Sequence, residues 1–179
     1  MKFLAQKRLM IIAMLTVAFV VSATAVAAEQ STLTSSHINK IRQNCVAAQV
    51  ALQRVQYNDV AIRINRGQAY DALLTKFIAP FNSRAALNRL SEVDLLTAKT
   101  EVIEAHVEQF KKDYVKYEDT LSESLRMKCQ DRPVAFYDAL GTIRELRAAL
   151  SADTKAVQTA IEDYEVIVGH MRKTIEENQ

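Results

Sequence analysis

Apolar side chains recur every three or four positions along most of this 179-residue chain, the spacing that gathers them on one face of an α-helix. Three segments carry such a seam. In the first, Ile38, Ile41, Cys45, Ala48, Leu52 and Val55 alternate steps of three and four. A second stripe, Val46, Val50, Tyr57, Val60 and Ile64, is expected to widen its buried face. The second segment carries Leu96, Ile103, Val107, Phe110, Tyr114, Tyr117 and Leu121. In the third, Phe136, Leu140, Ile143, Leu150, Val157, Ile161, Tyr164, Val168, Met171 and Ile175 keep one seam, interrupted by Arg147 and Thr154.

Local signals divide the seams into helices at 36–79, 92–128 and 133–177. Ser35 and Ser36 are expected to cap the first. Pro80 disfavours helix at the residue before it, Gly67 is the expected place for a bend, and Asn82 is expected to cap a short helix over 83–90. Ser91-Glu92-Val93-Asp94 resembles a capping box that opens the second long helix. Pro133 suits the first turn of the third, where its missing N–H costs nothing. At about 1.5 Å per residue these helices would run roughly 55 to 68 Å. The expected fold is all-α: an elongated antiparallel three-helix bundle with coiled-coil-like seams. A break at Gly67 would give a shorter four-helix bundle instead.

The amino end follows a different pattern. Lys2, Lys7 and Arg8 precede the apolar run LMIIAMLTVAFVV, and the small residues SATAVAA follow. This is the charged, apolar, small-residue order of a secretory signal peptide. Ala25-Val26-Ala27 fits the cleavage rule, which gives a signal peptide at 1–27, with cleavage after Ala28 as an alternative. An uncleaved membrane anchor reaching residue 28 stays open, because Leu9 to Ala28 is nearly long enough to span a bilayer. Residues 28–35 then form a short linker before the bundle domain at 36–179. Either form leaves the domain exported: periplasmic, extracellular, or held on the outer side of the cytoplasmic membrane.

Composition narrows the classes further. Three Gly, two Pro and no Trp leave too little turn chemistry for many short strands. The formal charge is +2, and without Lys2, Lys7 and Arg8 it becomes −1, so the chain offers no basic footprint for nucleic acid. The remaining charge is uneven: residues 58–90 carry five basic and two acidic side chains, whereas acidic side chains predominate after residue 90.

The two cysteines acquire meaning from the seams. The midpoint of Cys45 and Cys129 is residue 87, inside the turn region between Pro80 and Ser91. An antiparallel hairpin of the first two helices therefore places the thiols side by side, and an oxidising compartment would join them. Two separately buried thiols are the alternative. A redox role has no Cys-x-x-Cys pair to support it.

Other chemistry finds little purchase. His37, His106 and His170 sit on three different helices without the helical spacing of metal ligands, and there is no phosphate loop or nucleophile elbow. No catalytic residue, metal or cofactor is expected. The most distinctive polar segment is 63–89, which combines Arg63, Arg66, Arg84 and Arg89 with Asn82 at the expected hairpin tip. Guanidinium groups bind carboxylates and phosphates bidentately, so these residues form a candidate partner-binding tip. The plainer reading is a capped turn whose arginines pair with Asp59, Asp71 and Asp94.

NRGQAY, TKFIAPFNSR, IRQNC and CQDRPVAFYDAL resemble small, exported helical proteins of candidate-phylum bacteria with reduced genomes, over Ile38 to the end of the last helix. The resemblance implies a shared helical design and carries no activity, cofactor or site residue. The expected role is that of a non-enzymatic structural or interaction module of the cell envelope. Its partner would be an unknown envelope protein or a second copy of the chain, with membrane contact only through an N-terminal anchor. A sensory or ligand-binding bundle is the alternative, and Arg147 and Thr154 mark the place where it would need a pocket.

Overall fold

In the computed structural model, which describes residues 33–177 apart from the side chains of 62–64, every element is helical: α1 at Ser35–Ala72, a π-helical segment at Leu73–Ile78, α2 at Ala79–Leu87, α3 at Val93–Arg126 and α4 at Pro133–Glu177. The signal peptide or anchor, and the linker as far as residue 32, lie outside the described residues.

All seven seam residues of α3, from Leu96 to Leu121, are buried, and α3 shares its largest interface with α4. The two run antiparallel, since Lys99 near the start of α3 meets Asp163 near the end of α4 at 2.9 Å. α1 lies against both. It is antiparallel to α3, with Gln49 reaching Met127 at 2.7 Å and Asp71 reaching Lys111 at 3.1 Å. It is parallel to α4, with Asp59 meeting Arg147 and Arg66 meeting Thr154. Cys45 and Cys129 are joined in a disulfide, Cα atoms 5.8 Å apart, and pack with Phe136 at one end of the core.

Several local expectations are corrected. The first helix begins one residue earlier, because Thr34 is its N-cap and accepts from the His37 N–H. It passes Gly67 in unbroken α-helix. It also passes Pro80. In a regular α-helix the proline ring would press on the carbonyl of Lys76 and leave it unbonded. The π-helical turn immediately before it inserts one residue, with the Ala79 N–H bonding back to Leu74, and this widening accommodates the ring. Asn82 is consequently inside α2 and caps nothing.

The α2–α3 turn closes with a Schellman motif. The Leu90 N–H bonds the Ala85 carbonyl and the Arg89 N–H bonds that of Ala86, while Arg89 takes the left-handed conformation at φ 53°. That motif extends the turn through Glu92, so α3 starts at Val93 and the anticipated Ser91 capping box does not form. At the other end of α3, the amide of Gln49 supplies what a local cap would have: it donates to the terminal carbonyls of Ser124 and Met127.

Most of the second stripe on α1 stays outside the core, although Val60 is half-buried and the Ile64 side chain lies outside the described residues. Val46, Val50 and Tyr57 are exposed, Tyr57 by 83%, because α3 and α4 cover only one narrow side of α1. The last seam residue of α4, Ile175, is likewise exposed. By the antiparallel register its partner on α3 would fall before Val93, where that helix has not begun.

Candidate functional site

Seven-residue steps along α1 run from Cys45 through Leu52 to Asp59 and Arg66; the first three are buried, and Arg66, at the end of the row, is exposed. On α4 the seam steps from Ile143 to Arg147, Leu150, Thr154 and Val157, placing Arg147 and Thr154 on its inward face. The parallel pairing of α1 and α4 matches the two polar interruptions in register. Asp59 meets Arg147 at 3.3 Å, and Arg66 donates to the Thr154 hydroxyl at 2.9 Å.

α3 supplies the third wall. The Tyr117 hydroxyl donates to Asp59 Oδ2, and the Tyr114 hydroxyl donates to the Asp59 backbone carbonyl at 3.2 Å. Asp59 is only 5% exposed, and its two carboxylate oxygens are taken by Tyr117 and Arg147, as burial of a charged group demands. Burial, then the hydrogen bond to Asp59 and its charge, push the Tyr117 hydroxyl far above the ordinary tyrosine value. Tyr114, Tyr117 and Phe110 pack edge-on or tilted along this wall, which holds both hydroxyls in place.

Together these groups line a cavity of about 180 Å³, with Leu150 and Ser151 completing it. Its lining combines the apolar Phe110 and Leu150 with two guanidinium groups, four hydroxyls and a single carboxylate. A larger cleft of about 340 Å³ lies by the π-helical turn, between Leu73, Phe77, Phe81, Ile161 and Val168, but its lining offers few groups that could orient a ligand.

The candidate basic tip disperses. Arg66 belongs to the cavity. Asn82 is engaged inside the fold, accepting from the Tyr164 hydroxyl at 2.8 Å and donating to Thr100 at 2.9 Å, so that it links α2, α3 and α4. Arg84 and Arg89 remain exposed at the α2 end, and the Arg63 side chain lies outside the described residues. Asp59 pairs with Arg147 and Asp71 with Lys111. By sequence Asp59 reads as a turn partner, and Tyr114 and Tyr117 read as core aromatics. The signal that finds Asp59 is the seven-residue step from Leu52, followed across a parallel α1–α4 pair.

Among the described residues no group of three or more His, Cys, Asp or Glu side chains is placed to hold a metal ion. No described helix is long and apolar enough to cross a membrane. The described residues thus form an all-helical domain with a disulfide across one end and a polar cavity between three helices. No protein-family model, curated protein or solved structure matches the chain.

Proposed function

We propose that this protein is a non-enzymatic helical module of the cell envelope, exported behind a signal peptide or held by an N-terminal anchor, that acts by contact with a partner. In this reading its elongated antiparallel three-helix bundle is a rod that presents surfaces. The observation that carries the proposal is the row Val46, Val50 and Tyr57 along the outer side of α1, apolar and exposed at 50%, 48% and 83%. Three such side chains on one helical face are the composition of a contact surface. The disulfide is in keeping with an oxidising, exported location.

A photo-crosslinking residue in place of Val50, in cells that make the protein, tests this. The expected result is a discrete adduct that is absent when the same residue replaces the exposed Glu101 on α3. An adduct of twice the mass identifies a second copy as the partner. Equal labelling from both positions rejects the proposal.

A second reading has its own support. The cavity formed by Asp59, Arg66, Tyr117, Arg147 and Thr154 has the mixture of apolar wall and converging polar groups that suits a small ligand, so the bundle also reads as an extracytoplasmic ligand-binding domain.

A further inference from the structure

We propose that the cavity between α1, α3 and α4 binds a small carboxylate-bearing molecule, with its carboxylate at the Arg66 and Arg147 guanidiniums and its apolar body against the Phe110–Leu150 side. The proposal rests on the ligand-binding reading above and gives the site a chemistry.

Charge is the first argument. Asp59, Arg66 and Arg147 line the cavity, two positive groups against one negative. The Asp59 oxygens are already engaged by Tyr117 and Arg147. Among the described residues, Arg66 has no carboxylate within ion-pair distance and is held by the neutral Thr154 hydroxyl. A guanidinium carries five N–H donors in a planar fork, so one bond to a hydroxyl leaves most of them for an incoming anion. Arg147 spends one contact, at 3.3 Å, on Asp59 and its side chain is 55% exposed. It can therefore turn a second edge towards the same anion.

Shape is the second argument. Phe110 and Leu150 give the cavity apolar lining, and it holds about 180 Å³. A cavity of about 150 Å³ accepts a benzene-sized guest, so a carboxylate on a body of that size fits. The surplus of one positive charge matches a monoanion. A phosphate would bring a second negative charge and no apolar part to cover the aromatic wall.

Positioning is the third. Arg66 and Arg147 come from different helices, and each is oriented by a named partner: Thr154, which itself bonds the Leu150 carbonyl at 2.9 Å, and Asp59, fixed by Tyr117. Donors oriented before the ligand arrives lose less freedom on binding.

The test uses the full chain, exported and purified with its disulfide intact, and titrates it by calorimetry with benzoate, with the neutral isostere benzamide, and with inorganic phosphate. Saturable benzoate binding is expected, with benzamide and phosphate each weaker by about tenfold or more. Arg66→Gln should weaken benzoate by about tenfold or more with its circular dichroism and melting curve preserved, while Arg84→Gln at the α2 end should leave it unchanged. Equal binding of benzoate and benzamide, or an Arg66→Gln variant that binds like the parent, overturns the anion assignment and leaves the ligand-binding reading standing. Tighter binding of phosphate than benzoate overturns the carboxylate assignment in the same way. Absence of binding by all three probes removes both.

Discussion

Asp59 is the residue on which most of the interhelical polar chemistry converges. It takes an inward position on α1, where its neighbours along the same face are Leu52 and Arg66, and it is satisfied by one group from α3 and one from α4. Asp59→Ala leaves the buried Tyr117 hydroxyl without its acceptor, while the half-exposed Arg147 can turn to water. The expected loss is about 2 kcal/mol, measured by urea unfolding. The tyrosines also set a pH dependence. Tyr117 and Tyr164 are both shifted upward, chiefly by burial, from an ordinary value of 10.0, so the unfolded chain releases these protons first. Their contribution to stability is therefore complete below about pH 10 and is lost as the pH rises beyond it. Unfolding midpoints measured from pH 8 to 11 should fall at the alkaline end, with a shallower slope in Tyr117→Phe.

At the scale of the element, α1 and α3 differ in what their apolar residues accomplish. Every seam residue of α3 is buried, whereas the first row of α1 is buried at Cys45 and Leu52 and half-buried elsewhere, and its second row exposes Val46, Val50 and Tyr57. Ile103→Ala, at a fully buried site, should cost about 3 kcal/mol. Val50→Ser, on the outer stripe of α1, should change stability by less than about 0.5 kcal/mol. The same denaturation curves check both, and a comparable loss at Val50 would mean that α1 packs on both faces. The end of α2 makes a separate prediction. Arg89 occupies the left-handed position of a Schellman motif, where a side chain is strained and glycine is not. Arg89→Gly should raise stability by about 1 kcal/mol, read as a higher unfolding midpoint.

Across the whole domain, the disulfide compensates for the limited grip that α3 and α4 have on α1. It closes a loop with a sequence separation of 84, and the chain-entropy model assigns such a loop about 4 to 5 kcal/mol. The paired substitution Cys45→Ser with Cys129→Ser should lower stability by about 4 kcal/mol. The damage should be uneven: amide exchange in the first half of α1 should accelerate more than in α3 or α4, because the latter two share the largest interface. An unchanged midpoint would show that packing alone holds α1 in place.

The apolar spacing along the chain was sufficient to determine three long helices and the inward rows of α3 and α4, because a 3.6-residue period converts spacing directly into a face. It also placed the cysteines on one level, since an antiparallel pair has a single midpoint. Other features depended on neighbours distant in sequence. Whether Val46 and Val50 are core or surface depends on how much of α1 the other two helices cover, and periodicity cannot count partners. Whether Pro80 ends a helix depends on whether the preceding turn widens, and here it does. Arg66 read as a tip residue and Asp59 as its companion in a turn. Only the parallel register of α1 against α4, set by the packing of all three helices, brought Asp59 to Arg147 and Arg66 to Thr154, and so turned two interruptions in separate seams into one cavity.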